Sequence, residues 1–425
     1  MPIPPLLHLD LATTLLWEIL QSNQGTDSVL KKGFAAHPQL GARDRHTLTD
    51  TVYGGLRALR SLGYRLHHPS VFPTDLTQVR ERLALLIAAP QGEEWLARAW
   101  PAISLDAANR LQQALSSLPT LPPEVQADLP DWIYQPLLKE LGVAELAILG
   151  TALNAPAPLD GRVNRIERAV LVSQLEEWGL IVNPTPWSPW GLRFTGRPSL
   201  KDFPFYQQGL LEVQDEGSQL IAPLLAPRRG ETVVDFCAGA GGKTLHIASL
   251  MADTGTLYAC DPAENRLSQL RQRVARAGLQ RVQVVRSDDG EARALRALKG
   301  KVHRVLVDAP CTGSGTLRRH PEIKWQRHDL ARLVAEQGRI LARAAALVRP
   351  GGCLVYATCS LLPAENQQVV DDFLANHPAF YRQPVGPRLA RYTANLPLDG
   401  PDLRLWPHRH GTDGFYGGVL VKATI

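Results

Sequence analysis

After residue 226 the chain settles into a pattern that few folds can satisfy. Short apolar runs at Thr232–Phe236, Thr256–Cys260, Val282–Arg286, Arg304–Val307 and Cys353–Ala357 are separated by stretches with helical spacing, such as Glu264–Ala277 and Asp329–Val348. Runs this short read as strands, and strands that alternate with helices pair in parallel through right-handed crossovers. The pattern predicts an α/β, doubly wound sheet. Ligands of such sheets bind at the carboxyl ends of the strands, so the residues just after each run are where chemistry is expected.

The 425 residues exceed what one core usually holds, about 250 to 300. Residues 1–130 carry apolar positions at helical spacing, among them Leu11, Leu15, Ile19, Leu48, Val52, Leu56 and Leu59, which predicts an all-α domain. Pro119, Pro122, Pro123 and Pro130 mark the joint that follows. Residues 131–225 are mixed: a helix at 132–150, a strand at 159–163, a helix at 165–178 and short strands near 179–182 and 191–195 predict a small α+β subdomain. The third domain is 226–425. A content of 44% hydrophobic and 20% charged residues excludes disorder and a collagen-like chain. No apolar run approaches the roughly 18 residues of a membrane span, and the N-terminus lacks a basic leader and is interrupted by Asp10 and Glu18, so neither a span nor a secretion signal is expected. Five cysteines, an odd number and all beyond residue 236, suit reduced thiols in a cytoplasmic protein.

Charge is distributed unevenly. Residues 1–140 hold 12 Lys+Arg against 14 Asp+Glu, and 141–225 hold 6 against 9. Residues 226–425 hold the remaining 28 against 18, a net +10. A polyanion such as RNA would dock on this C-terminal portion. Arg318, Arg319 and Lys324, in the segment after Cys311, are the expected phosphate contacts.

The first strand of the α/β pattern runs into Cys237-Ala238-Gly239-Ala240-Gly241-Gly242-Lys243-Thr244. Glycines at a strand-to-helix turn let the backbone approach a ligand closely. A Walker A loop would need Gly where Cys237 stands, and a dinucleotide fingerprint would need Gly where Thr244 stands. What remains is a Gly-rich loop followed by Asp261 at the end of the second strand and Asp288 after the third. A carboxylate at 261 can accept both hydroxyls of a ribose, and Asp288 can meet an adenine amine; either alone could also cap a helix. Together they fit an adenosyl ligand without a pyrophosphate, S-adenosylmethionine.

The fourth strand ends in Val307-Asp308-Ala309-Pro310-Cys311-Thr312-Gly313-Ser314-Gly315, and the fifth in Ala357-Thr358-Cys359-Ser360. Cys237, Cys260 and Cys353 read as packing, whereas Cys311 and Cys359 lie past the apolar runs in polar loops at the ligand edge. Two thiols suit methylation of a pyrimidine carbon. Carbon 5 of cytosine is too weak a nucleophile to take a sulfonium methyl until a thiolate has added to carbon 6. Afterwards the carbon 5 proton must leave and the sulfur must be expelled, which a second thiol or a water can assist. Spacing alone does not rank the two thiols.

These segments resemble the RsmB (Sun) family of RNA cytosine-5 methyltransferases. The resemblance rests on the Gly-Gly-Lys-Thr loop, on Asp-Ala-Pro-Cys-Thr-Gly-Ser-Gly with Arg319-His320-Pro321-Glu322, on Thr-Cys-Ser with Glu365-Asn366, and on Asp413-Gly414-Phe415. Arg162-Val163-Asn164 and Gln214-Asp215-Glu216-Gly217-Ser218-Gln219 look like the family's small, RRM-like subdomain and entry strand. Arg43-Asp44-Arg45 and Val52-Tyr53-Gly54-Gly55-Leu56 are similar to a NusB-like RNA-binding domain of its bacterial members. The resemblance implies a Rossmann-like class I methyltransferase domain with Cys359 as nucleophile, Cys311 as the releasing thiol, and Asp308 and Lys243 as active-site contacts. It implies that Cys237, Ala238, Gly239, Ala240, Gly241, Gly242, Lys243, Asp261, Asp288 and Asp308 line the S-adenosylmethionine site. The expected substrate is a cytosine of ribosomal RNA, of the 16S type, with no metal, no membrane partner and a monomeric state. A uracil-5 methyltransferase and a non-catalytic assembly factor that keeps the fold are the alternatives. Ala240 replaces the family's proline and gives up a fixed φ, so a looser loop is expected.

Overall fold

The computed structural model describes residues 4–91, 93–116, 120–287, 293–393 and 396–424. It divides into two compact units, one of residues 1–156 with 316–328 and one of 157–315 with 329–425.

The first unit is helical. Helices Pro5–Gln21, Ala42–Arg57 and Leu76–Gln91 bury Leu9, Leu16, Leu48, Val52, Leu56 and Leu83, the positions that recur at helical spacing. The expected joint at 130 does not end this unit. Helix Asp131–Asn154 belongs to it, because Gly150 lies against Ala127, so closely that a Cβ would sit 2.8 Å from the Ala127 Cα, and Asn154 Nδ2 donates to the Ala127 carbonyl at 2.8 Å.

The expected docking of Arg318 and Lys324 on RNA phosphates is overturned here. Residues 316–328 are part of the helical unit, where Lys324 is 1% exposed and Arg318 is buried. The Lys324 ammonium donates to the carbonyls of Arg57 at 3.0 Å and Asp128 at 2.9 Å and to the Asn154 side chain. Trp325 Nε1 donates to the Leu56 carbonyl at 2.7 Å, and Glu322 accepts from the Thr26 amide. A buried amine needs such acceptors, and a run of basic residues in sequence says nothing about which of them will find one.

The second unit begins with a four-stranded antiparallel sheet of β1 (Leu159–Val163), β2 (Val182–Pro184), β3 (Gly191–Phe194) and β4 (Leu211–Val213), in the order β2-β3-β1-β4. The last of these strands carried no signal in the sequence. The larger sheet contains β5 (Thr232–Asp235), β6 (Thr256–Asp261), β7 (Val282–Arg286), β8 (Val302–Asp308) and β9 (Val348–Thr358), all parallel in the order β9-β8-β5-β6-β7. It is the doubly wound sheet of a Rossmann-like domain. The strands β10 (Phe380–Gln383), β11 (Leu403–Leu405) and β12 (Phe415–Lys422) were not anticipated; β12 pairs antiparallel with β9, and β10 and β11 with β12. Helices flank the sheet. Leu267 and Leu270 of helix Glu264–Arg276 and Ile340 and Leu341 of helix Leu330–Ala345 enter the cores on either side of it. The order of strands brings the ends of β5, β6, β8 and β9 to one edge.

Candidate functional site

A cavity of about 760 Å³ opens at that edge. On its floor lies the turn after β5. Gly241 holds a φ of +92°, and a Cβ on it would fall 2.2 Å from Leu270, so only glycine fits before helix Gly242–Leu250. Gly241 itself stays behind the wall, while Cys237, Ala238, Gly239, Ala240, Gly242 and Lys243 face the cavity. The loop is tied from two sides. The Gly239 amide donates to Asp261 Oδ2 at 3.0 Å, and Arg273, itself paired with Glu212 at 2.7 Å, donates to the Ala240 carbonyl at 2.9 Å. Arg162, wholly buried in β1, adds a bond to the Gly242 carbonyl at 2.8 Å. These bonds hold the backbone that a proline at 240 would otherwise stiffen.

Asp261 ends β6, is buried and lines the cavity. Its second oxygen accepts from the Ala263 amide at 2.8 Å, which shapes the turn before helix Glu264–Arg276 but does not cap it, since Ala263 holds the N-cap position and no side chain caps that helix. Each oxygen keeps a further lone pair for a ligand hydroxyl. Asp288 lies outside the described residues. Asp235, at the end of β5, was not singled out in the sequence although it too faces the cavity. Burial pushes its carboxyl up to about 7 against the pull of the Thr244 hydroxyl, which donates to it at 2.6 Å.

Lys243 and Asp308 form an ion pair of 2.7 Å. Burial opposes the Lys243 charge, but the Asp308 carboxylate and its hydrogen bond outweigh burial and hold the amine above its ordinary value. The ammonium also lies 5.3 Å from the centre of the Phe415 ring.

Strands β8 and β9 run side by side with Asp308 opposite Ala357. The loops that leave them bring Cys311 Sγ to 3.4 Å from Cys359 Sγ, and both thiols line the cavity. The Cys311 thiol is held well above its ordinary range, first by its hydrogen bond to Cys359 and then by burial and the charge of Cys359. Cys237 is likewise pushed up, by burial foremost, and Cys260 and Cys353 are buried in the cores on either side of the sheet.

Both thiol loops rest on groups that the sequence did not mark with a role. Glu365 accepts from the Thr312 amide at 2.8 Å, from the Thr312 hydroxyl at 2.6 Å, from the Ser360 hydroxyl and from Gln337 Nε2 at 3.0 Å. Gln337 also donates to the Pro310 carbonyl at 2.9 Å. The residues that join the cavity beyond those expected come from positions next to the expected ones, such as Pro262, from helices Glu264–Arg276 and Leu330–Ala345, and from the end of β4 and the segment after it, where Val213, Gln214 and Ser218 lie.

A parallel sheet with a glycine turn after β5, a carboxylate ending β6 and room for an adenosyl group defines a class I S-adenosylmethionine-dependent methyltransferase. The comparisons narrow the class. Residues 222–421 match the family model described as 16S rRNA methyltransferase RsmB/F. The chain is 31% identical, over 97% of its own length and 99% of the relative's, to a probable ribosomal RNA small subunit methyltransferase B of Synechocystis sp.. It is 35% identical to the ribosomal RNA small subunit methyltransferase B of Erwinia tasmaniensis over 69% of this chain and 66% of that one. The crystal structure of PH0851 superposes with a TM-score of 0.77 and 26% identity, covering 99% of this chain and all of the other. The chain belongs to the RsmB/F methyltransferase family, and its cofactor is S-adenosylmethionine.

Proposed function

We propose that this chain methylates carbon 5 of a cytosine in ribosomal RNA through a covalent adduct to Cys359. One observation carries the reading: two thiols 3.4 Å apart in the same cavity as the cofactor loop. Oxygen or nitrogen methylation has no use for such a pair. S-adenosylmethionine supplies an electrophilic methyl group when bound; Asp261 and the backbone of Gly239, Ala240 and Gly242 would hold it.

The Cys359 thiolate adds to carbon 6, forming a C–S bond while ring nitrogen 3 takes up the displaced electron pair and a proton. The resulting enamine carries a nucleophilic carbon 5, which accepts the methyl group. Removal of the carbon 5 proton then restores the double bond and expels the Cys359 sulfur as a thiolate, and ring nitrogen 3 gives back the proton it took up. The thiol pair supports this order of events. In the free enzyme the Cys311 proton is held mainly by Cys359. Once the Cys359 sulfur is bonded to carbon its charge is gone, and with it the main cause that kept Cys311 protonated. Cys311 can then give up its own proton and stand as a thiolate, the form that can take a proton, at the step that needs a base. Lys243 and Asp308 face the same cavity as contacts to the base.

The chain is read as a cytoplasmic monomer whose helical unit contributes RNA binding. A groove there, lined by Lys31, Phe34 and Arg45, supports that contact. None of the described helices is long and apolar enough to cross a membrane.

Denaturing gel electrophoresis with unmodified 16S RNA transcript and S-adenosylmethionine tests the mechanism. Cys359→Ala should give neither methylated RNA nor adduct. Cys311→Ala should accumulate a protein–RNA species that survives denaturation. An adduct from Cys359→Ala alone would reverse the roles, and turnover by both variants without any adduct would remove covalent catalysis. Mass spectrometry of the product nucleoside must show 5-methylcytidine; 5-methyluridine would make the chain a uracil enzyme, and no turnover by wild type would favour the assembly factor.

A further inference from the structure

Two thiols that touch each other pose a problem of order, because either could attack first. The side chains behind them are not symmetric. On one side is Lys243, whose ammonium is stabilised in part by the Cys359 charge. On the other is Glu365, which is fully buried and bound to the loop of Cys311 through both the amide and the hydroxyl of the very next residue, Thr312.

We propose that Glu365 is the positioning residue of the thiol pair, clamping the Cys311 loop to the Cys359 loop and fixing which of the two thiols acts first. The clamp is visible in the bonds. One carboxylate oxygen receives Thr312 N and Gln337 Nε2, and the other receives the hydroxyls of Thr312 and Ser360, so four donors from three segments converge on one acidic side chain. A carboxylate is the one side chain that offers only acceptors on both atoms. The Ser360 hydroxyl lies 3.0 Å from that of Ser314, which accepts from the Leu361 amide at 2.9 Å, and Asn366 Nδ2 donates to the Ser360 carbonyl at 2.8 Å. The two thiol loops therefore move together or not at all.

The ranking follows from charge. The Glu365 charge is among the causes that hold the Cys311 thiol up, after the hydrogen bond and charge of Cys359 and burial. The other titratable groups around Cys311 are Tyr356, whose hydroxyl donates to the Glu365 carbonyl at 2.7 Å, and across the cavity Lys243, Asp308 and Glu336. The Lys243 cation pairs with Asp308 and is the one on which the Cys359 charge acts, so negative charge stands beside Cys311 and positive charge toward Cys359.

The inference rests on the covalent reading for its purpose, but the arm of its test that reads the charge needs neither RNA nor cofactor. Glu365→Gln can keep the clamp, since the amide oxygen still accepts from Thr312 N and Gln337, and the amide nitrogen can donate to hydroxyls that accept in turn. It removes only the charge. Initial rates of iodoacetamide alkylation of the free protein, measured against pH and assigned to each cysteine by tandem mass spectrometry, should show the Cys311 midpoint falling by about 1 pH unit, with a smaller change at Cys359. Thr312→Val does the opposite: it keeps the charge and cuts one bond of the clamp. Its Cys311 midpoint should stay high while kcat for methyl transfer to 16S transcript falls about tenfold or more, at nearly constant KM. An unmoved Cys311 midpoint in Glu365→Gln overturns the ranking. Unchanged kcat in Thr312→Val overturns the clamp, and does so even if Glu365→Gln fails to fold. Either result leaves the adduct experiment standing, whereas failure of that experiment leaves the alkylation profiles to be read on their own.

Discussion

Gly315 sits where the Cys311 loop, the Cys359 loop and the Asp413-Gly414-Phe415 segment meet. Its amide donates to the Cys359 carbonyl at 2.8 Å, and its carbonyl accepts from the Gly414 amide at 2.8 Å. A Cβ at 315 would stand 2.2 Å from the Gly414 oxygen and 2.8 Å from the Cys359 oxygen, both backbone atoms that no rotamer change can move. Ordinary contact begins at 3.4 Å, so Gly315→Ala must spread these loops by about 1.2 Å. Overpacking of that kind costs about 1–3 kcal/mol. A displacement of about 1 Å at reacting groups also costs on the order of 10²-fold in rate. The second figure matters more, because the carbonyl being pushed belongs to Cys359 itself. Urea unfolding followed by circular dichroism gives the first quantity, and methyl transfer to 16S transcript at saturating S-adenosylmethionine gives the second. Gly338→Ala is the companion variant. That glycine lies inside helix Leu330–Ala345 with no heavy atom within 4 Å of a Cβ, so alanine should stabilise by about 0.5–1 kcal/mol. If Gly315→Ala unfolds at the wild-type urea concentration and turns over within twofold of wild type, the close approach of the three segments is not as described and the argument fails.

Asp261→Ala should weaken S-adenosylmethionine binding about tenfold to a hundredfold, the worth of charge-assisted hydrogen bonds of roughly 1.5–3 kcal/mol, and should also release the Gly239 and Ala263 amides; unchanged affinity by calorimetry would refute the assignment. Lys324 makes a pH-dependent contribution. Burial lowers its amine to about 7 against the attraction of Asp128, well under the roughly 10.4 of an unfolded lysine. Between those values the unfolded chain binds more protons than the native one, so native stability should rise with pH, by up to about 1.4 kcal/mol per unit, and Lys324→Met should flatten that slope. Equal slopes for the two proteins in urea unfolding between pH 7 and 9 would show that Lys324 does not titrate there. The same variant should leave the salt dependence of RNA binding unchanged, since an amine enclosed by three oxygens of the protein contacts no phosphate and releases no counterion.

Local sequence was enough to determine the parallel sheet. Apolar runs of four or five residues between amphipathic helices have one stable arrangement, and β5 to β9 form where the runs lie. It also marked the ends of those strands as the place for chemistry, because a strand's register fixes where its carboxyl end must be. What it did not carry was any interaction between residues far apart in the chain. The distance of 3.4 Å between Cys311 and Cys359 exists only because β8 and β9 are neighbours in the sheet, a matter of strand order. Strand β12 joins the edge of β9, and β10 and β11 pair with β12, partnerships between distant residues that no local pattern states. Glu365 belonged to a segment of the family resemblance but had no role of its own until four donors from three segments converged on it. Lys324 looked like a solvated charge on a basic segment until the helical unit enclosed it. Apolar periodicity is a property of neighbouring residues and survives in the sequence; the desolvation and pairing of a charge depend on what the rest of the chain brings to it, and only the folded structure decides them.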